Sequence, residues 1–180
     1  DCAMRGIDLL QADCACMIIK HTTPCGIGVS GNTAEAYRKA FECDPISAYG
    51  GVIAFTRGVD GPTARHVGEQ FAEVLVAPSF SEEAIHILAS DRPNLRLLEC
   101  EGEHARGPSY QSTWSGTLMQ DDTAPELPAL DSGEWVGEPR IDLWEDLLLA
   151  WKAAALGKSN SISIVRDGMT VGLGRGFTSR

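Results

Sequence analysis

Apolar and polar positions along the first hundred residues form blocks that predict helices and strands in turn. Residues 3–12 have apolar side chains at the spacing of one helix face, and 15–19 form a continuous apolar run typical of a strand buried on both faces. The same patterns predict helices over 33–41, 62–72 and 81–89, and strands over 52–55, 74–76 and 95–98. Such alternation indicates an α/β domain with a parallel or mixed sheet.

Two segments between these elements have the residues of loops. Pro24 and Gly26 follow the first apolar run and predict a turn over 20–26, since proline pushes the residue before it towards an extended conformation. The segment 44–51 ends in two glycines and predicts a second loop before the strand at 52–55.

The last eighty residues differ from the first hundred. Residues 101–141 are rich in glycine, proline and acids, which predicts a long irregular connection with one strand near 117–119. Residues 142–156 then form the clearest helix of the chain, with Gly157 as its C-cap. Two strands at 162–165 and 170–173 follow, joined by Arg-Asp-Gly, a hairpin signal.

Composition and charge narrow the classes of function. The chain has 180 residues, 43% of them hydrophobic, which is the size and composition of one globular domain. Its net charge of −10 argues against a nucleic-acid partner or an anionic membrane surface, though not against a small anionic substrate bound by local donors. No apolar stretch approaches the ~20 residues of a membrane span. The chain opens on Asp1 rather than Met, so we expect a processed protein or an excerpt.

The six cysteines fit neither a disulfide framework nor a zinc site. We expect buried, reduced thiols and a cytoplasmic protein. The four histidines and the carboxylates show no metal-ligand spacing, so no metal is predicted. A zinc deaminase is also disfavoured, because Pro24-Cys25 lacks the second Cys of P-C-x-x-C and no H-x-E is present.

Candidate chemistry first appears at Lys20-His21, where the first strand ends. A histidine accepts a proton near neutrality, and a neighbouring lysine stabilises negative charge or donates a proton. The spacing of two adjacent residues alone favours a solvated strand end. The glycines at 50 and 51 allow close approach of a ligand or form a simple turn. Gly172-x-Gly174-x-Gly176 lacks the dinucleotide-binding spacing, and Asn160 by itself marks a helix-to-strand turn.

Six segments become informative when they are taken together and in order. They are Lys-His-Thr-Thr-Pro-Cys-Gly at 20–26, Asp-Pro-Ile-Ser-Ala-Tyr-Gly-Gly-Val-Ile-Ala-Phe at 44–55, Phe-Ala-Glu-Val-Leu-Val-Ala-Pro at 71–78, Asn-Leu-Arg-Leu-Leu at 94–98, Ser-Gly-Thr-Leu-Met-Gln-Asp at 115–121 and Lys-Ser-Asn-Ser-Ile at 158–162. This series resembles the AICAR transformylase family. That family is the formyl-transfer half of a bifunctional purine enzyme that also carries IMP cyclohydrolase.

The resemblance implies a reaction and a set of site residues. The family transfers formyl from 10-formyltetrahydrofolate to the 5-amino group of AICAR, through a homodimer whose sites lie across the subunit interface. Carried onto this chain, the resemblance implies His21 as the proton acceptor, with Lys20 assisting at the folate side. It further implies a set of binding residues around the two substrates, with Ile46 near the folate and Tyr49, Gly50, Glu73 and Asn160 around AICAR.

The resemblance also implies an architecture. The family has cytidine-deaminase-like units, each a three-layer α/β/α arrangement with a mixed sheet. Residues 1–141 would form the first unit with its long irregular connection, and 142–180 the connecting helix and the opening hairpin of a second unit.

Three residues depart from the family pattern. Thr23 stands where the family has Asn, while Arg175 and Phe177 replace Ala and Gln. These departures keep a second hypothesis open, a noncatalytic or divergent paralogue that binds a nucleotide-like ligand or acts as an interaction module.

Overall fold

The architecture was obtained as a computed structural model, which describes residues 1–10, 14–100, 107–121, 125–129, 135–176 and 178. The helices are α1 Cys2–Leu10, α2 Thr33–Cys43, α3 Pro45–Ala48, α4 Gly61–Gly68, α5 Glu82–Asp91 and α6 Trp144–Ala155, the last preceded by a 3-10 turn at Ile141–Leu143. The strands are β1 Ala15–Lys20, β2 Thr23–Val29, β3 Gly51–Phe55, β4 Ala72–Ala77, β5 Arg96–Glu99, β6 Ser109–Thr113, β7 Gly116–Gln120, β8 Ser161–Arg166 and β9 Met169–Arg175. The departure at Phe177 lies outside the described residues.

Seven of the strands form one mixed sheet in the order β5-β4-β3-β1-β2-β9-β8. Strands β3, β4 and β5 run parallel, as expected for strands separated by crossover helices. Strand β1 is antiparallel to both of its neighbours, β3 and β2. The apolar run of β1 is therefore explained by its central position, since helices cover both faces of the sheet there.

Two apolar layers hold the helices on the sheet. On one face Ile18 and Phe55 pack with residues of α2, α4 and α5. On the other face Met17 and Ile27 pack with Leu10 of α1 and with residues of α6. Helices on both faces of a mixed sheet make an α/β/α arrangement, and the predicted α/β fold class is confirmed.

The prediction of a turn over 20–26 was wrong in its extent. Pro24 and Gly26 lie inside β2, and the chain reverses at His21-Thr22 instead. Gly26 is required for helix packing, because a Cβ there would lie 1.9 Å from the carbonyl oxygen of Ala40 in α2. The glycines of β2 thus let a helix approach the sheet closely, a role that looks like a loop signal in the sequence.

Other elements differ less from expectation. The loop predicted over 44–51 contains the short helix α3, whose N-cap Asp44 accepts the backbone N–H of Ser47 at 2.9 Å. The single strand predicted near 117–119 is one arm of the separate hairpin β6–β7. Leu156 rather than Gly157 is the C-cap of α6.

The terminal hairpin β8–β9 is part of the main sheet. Strand β9 pairs with β2 at Gly28↔Met169, and α6 packs on the same face of the sheet as α1. The boundary predicted after residue 141 stays a prediction, but the helix and hairpin beyond it share the sheet and core of the preceding residues.

All six cysteines are free thiols, as predicted. Only Cys16 among them is fully buried, and the other five are half-buried. Burial raises the pKa of the Cys25 thiol to about 11, with a contribution from the nearby carboxylate of Asp44. Such a thiol is protonated at neutral pH and is a poor nucleophile.

Candidate active site

The first candidate pair lies at a tight hairpin turn between β1 and β2. Lys20 pairs with Thr23, which leaves His21 and Thr22 as the two turn residues. Their φ angles are 49° and 63°, in the left-handed region that glycine or asparagine favours. A β-branched threonine is poorly suited to this region, and such residues cost about 1–3 kcal/mol each. Strain of this kind is concentrated at functional sites, so the turn is marked independently of any motif.

The lysine of this pair is held by the loop before β3. Its Nζ donates to the carbonyl oxygen of Tyr49 at 2.5 Å. The Tyr49 ring packs on Phe71 with a centroid separation of 5.2 Å, and the Gly50 N–H donates to the Phe71 carbonyl at 2.8 Å. Three of the motif segments, 20–26, 44–55 and 71–78, are therefore joined by direct contacts around Lys20.

Gly50 is needed here for two reasons. Its φ of 66° lies in the left-handed region, and a Cβ at this position would sit 3.1 Å from the Lys20 Nζ. A side chain would therefore crowd the ammonium group that donates to the Tyr49 carbonyl. Asp44 fixes the start of the same loop, and its hydrogen bonds from Ser47 hold the pKa of its carboxyl below the usual value.

These groups surround a cleft of about 340 Å³, a volume within the range of small-molecule sites. The lining residues are Asp1, Cys2, Ala3, Ile19, Lys20, His21, Thr22, Gly50, Val52 and Glu73. Glu73 lies at the start of β4 and forms an ion pair with Arg96 of β5 at 3.4 Å. Both side chains are more than half exposed, so Glu73 remains accessible from the cleft.

The cleft lies where the ends of three strands meet, and the directions of these strands explain its position. Lys20 ends β1, which is antiparallel to β3, so the carboxyl end of β1 meets the amino ends of β3 and β4. Glu73 comes from one of those amino ends, and Gly50 directly precedes the other.

The structure brings together only part of the set expected from the sequence. Lys20, His21, Gly50 and Glu73 line the one cleft, and Tyr49 supplies its carbonyl to Lys20. Asn160 instead lies in a second cleft of about 430 Å³ between α6 and β8. Ile46 is on α3, 90% exposed and outside the lining of either cleft.

One wall of the cleft was missed by the sequence analysis. It is formed by Asp1, Cys2 and Ala3 at the start of α1, which have no polar motif that could have marked them. Burial raises the pKa of the Cys2 thiol, opposed by the positive charges of the N-terminus, Arg175 and Arg5. The charge of Arg175, one of the departures, therefore acts on this wall.

Two further searches concern the described residues alone. Within them, no three His, Cys, Asp or Glu side chains come together in a group that could bind a metal ion. None of the helices described here has the length and apolar character needed to cross a membrane.

Comparison with known proteins identifies the family of the chain. The family model described as AICARFT/IMPCHase bienzyme matches residues 1–180, the whole chain. The chain belongs to the AICARFT/IMPCHase bienzyme family. The family expected from the six segments is therefore confirmed.

Curated relatives of the AICARFT/IMPCHase family agree with this assignment. The chain is 43% identical over 171 residues to the bifunctional purine biosynthesis protein PurH of Persephonella marina, 42% identical over 169 residues to that of Bacillus cereus and 39% identical over 168 residues to that of Clostridium botulinum. Each match covers 92% of this chain and 32–33% of the relative. The chain thus spans about a third of the length of these relatives.

Proposed function

We propose that the chain forms part of an AICAR formyltransferase, which moves formyl from 10-formyltetrahydrofolate to the 5-amino group of AICAR in purine biosynthesis. One observation carries the proposal: Lys20, His21, Gly50 and Glu73, distant in sequence, line a single cleft. The relatives' names, bifunctional purine biosynthesis proteins, support the same pathway. A cytoplasmic location is part of the proposal, supported by the six free cysteines.

His21 is proposed as the general base. The AICAR amine is a poor nucleophile, because its lone pair is delocalised into the ring and carboxamide. Its nitrogen attacks the formyl carbon, the bond from that carbon to N10 of the folate breaks, and the amine proton passes through the imidazole to N10. Within the described residues the exposed His21 ring makes no hydrogen bond, which leaves it available to a substrate.

Lys20 is proposed to stabilise charge on the folate side. An ammonium group has three donors, and one of them is used by the Tyr49 carbonyl. The remaining donors can meet the oxygen that becomes negative in the tetrahedral intermediate. Because the loop holds the ammonium before substrate arrives, little reorganisation is needed during the reaction.

Glu73 and Gly50 are proposed to bind AICAR. The Glu73 carboxylate accepts hydrogen bonds from amide or amine donors, and the missing side chain at Gly50 lets a planar ring approach the backbone. Both substrates are anionic while the chain carries −10, so these local donors and acceptors must supply the selectivity.

A homodimer is proposed to complete the site. Asn160 and Ile46 remain candidates for AICAR and folate contacts, and they lie outside the main cleft of their own chain. The edge strand β8 exposes Ile162 and Ile164, by 54% and 59%, which supports contact with a further chain. Sedimentation at micromolar concentration is expected to show a dimer, and a strict monomer would contradict this part of the proposal.

Substitution of His21 tests the catalytic proposal in the complete gene product. His21→Ala is expected to lower formyl transfer by about 10²–10⁴-fold, the range for loss of a general base, while AICAR still binds in calorimetry. The matched control is His66→Ala on α4, which lines a different cleft and is expected to retain activity. Full activity of His21→Ala would reject the general-base role.

A second candidate function is a noncatalytic module that binds a nucleotide-like ligand. The position of Asn160 and Ile46 outside the main cleft favours it for the chain by itself. We expect the isolated 180-residue chain to bind AICAR weakly and to transfer little formyl. Robust turnover by that chain would contradict this expectation, whereas a complete product that binds AICAR without transfer would favour the module.

A further inference from the structure

The strained turn at His21-Thr22 needs support from both of its strands. On the β1 side, Lys20 is anchored to the Tyr49 carbonyl. On the β2 side, Pro24 has no N–H to donate to β1, and the register shifts between Ile18 and Ile19, next to its partner Ile19. Strand β2 therefore has fewer backbone hydrogen bonds to β1 next to the strained turn.

The other neighbour of β2 gives little backbone support at that end. Strand β9 pairs with β2 at Gly28↔Met169, and Thr170 bonds both the N–H and the carbonyl of Ile27, at 2.8 and 3.1 Å. Nearer the turn the residues of β9 include Gly172 and Gly174, which have no side chains to contribute.

The last residue of β9 supplies the missing contact. Arg175 is half-buried, and its guanidinium donates to the Pro24 carbonyl at 3.1 Å. Its charge also opposes the burial-driven rise in the pKa of Cys2, a cleft residue, and of Cys25, which follows Pro24. Arg175 thus contacts the strand that leaves the turn, without lining the cleft itself.

We propose that Arg175 is a positioning residue for His21: through the Pro24 carbonyl it holds the β2 side of the turn and so keeps the imidazole at the cleft. The inference rests on the proposed formyl transfer for its catalytic consequence. Charge-assisted hydrogen bonds are about twice as strong as neutral ones, which suits a contact that must oppose backbone strain.

The test compares Arg175→Met, which removes donor and charge, with Arg175→Lys, which keeps both. Arg166→Met, at an exposed arginine of the same hairpin, is the matched control. In the complete gene product, Arg175→Met is expected to lower kcat about tenfold with both KM values within twofold of the parent. Arg175→Lys is expected to recover most of that loss, and Arg166→Met to change neither constant.

A measurement that needs no activity separates this inference from the proposed function. Amide hydrogen exchange over residues 20–25 is expected to be about tenfold faster in Arg175→Met than in the parent, and unchanged in Arg166→Met. If the parent is inactive but exchange is faster in Arg175→Met, the proposed formyl transfer is rejected, while the role of Arg175 in holding the turn is still supported. Unchanged exchange, or a raised KM with unchanged kcat, would overturn the inference. If Arg175→Met does not fold, Arg175→Gln takes its place with the same expectations.

Discussion

Two hairpin turns of the main sheet have similar φ angles, but their sequences differ in how well they suit such a turn. His21-Thr22 joins β1 to β2 with φ angles of 49° and 63°, and Asp167-Gly168 joins β8 to β9 with 53° and 70°. Asp-Gly is common in two-residue turns of this kind, whereas His-Thr is not. The structure therefore tolerates a costly turn at the cleft and uses a favourable one away from it.

The two turns also differ in the hydrogen bonds that hold them. Both carboxylate oxygens of Asp146 accept backbone N–H groups of Asp167 and Gly168 at 2.8 Å, and Lys39 donates to the Asp167 carbonyl at 2.6 Å. At the first turn Lys20 donates to the Tyr49 carbonyl and the Pro24 carbonyl accepts from Arg175. The His21 carbonyl accepts the hydroxyls of Thr22 and Thr23, at 2.6 and 3.3 Å, which are bonds within the turn itself. Within the part of the chain that the structure describes, the His21 ring makes no hydrogen bond, which suits the proposed catalytic role.

The largest expected effect comes from giving the first turn the sequence of the second. The double change His21→Asp and Thr22→Gly removes the imidazole and relieves the backbone. In the complete gene product the proposed formyl transfer is therefore expected to fall about 10³-fold while the protein becomes more stable. Steady-state assays and urea unfolding measure the two quantities. Loss of stability in this variant would show that the turn at the cleft is not strained.

Removing the carboxylate that holds the second turn is expected to cost about 2 kcal/mol of unfolding free energy. Asp146→Ala leaves two backbone N–H groups without their charged acceptor. Urea unfolding measures the loss, and Glu145→Ala, an exposed neighbour on α6, is the control, expected to stay within about 0.5 kcal/mol. An equal effect of the two changes would contradict the role given to Asp146.

A reciprocal pair of single changes isolates backbone strain from side-chain chemistry. Thr22→Gly is expected to stabilise the protein by roughly 1 kcal/mol, because glycine accepts the left-handed conformation. Gly168→Thr is expected to destabilise it by at least as much, since a Cβ there would lie 2.9 Å from the Val29 carbonyl oxygen. Changes of the same sign in thermal unfolding would remove the contrast between the turns.

The smallest expected effect is a local dependence on pH. The pKa of Asp44 is lower in the folded protein than in the unfolded chain, so its contribution to stability is present above the unfolded value, about 3.9, and is lost as pH falls through the folded value. Acid should therefore loosen the loop that presents the Tyr49 carbonyl to Lys20. The protection factors of the amides at residues 45–50, which correct for the intrinsic pH dependence of exchange, are expected to fall below pH 4 in the parent and less so in Asp44→Asn.

A second cap provides the control for this measurement. Asp60 caps α4, and hydrogen bonds from Thr63 likewise hold its pKa below the usual value. Asp60→Asn is expected to alter the acid dependence of global stability and to leave exchange at 45–50 unchanged. A change there would mean that the loop near Lys20 reports global unfolding.

The predictions of helices and strands were correct where the period of apolar residues alone determined the element. The buried run of β1 and the amphipathic spacing of α2 depend on period alone, and both were found. Strand β2 was missed because its Pro24 and glycines are loop residues in most contexts. Here the glycines lie against α2, a contact between elements that spacing cannot express.

The amino-acid sequence by itself determined the α/β alternation, the free thiols and the family, because each depends on residue types and their order. Tertiary structure alone decided that the amino ends of two parallel strands meet the end of β1, bringing Lys20 and Glu73 to one cleft. It also assigned Asn160 to another cleft and Arg175 to the Pro24 carbonyl. Strand direction and sheet order set these distances, and both follow from packing the whole chain rather than from any local segment.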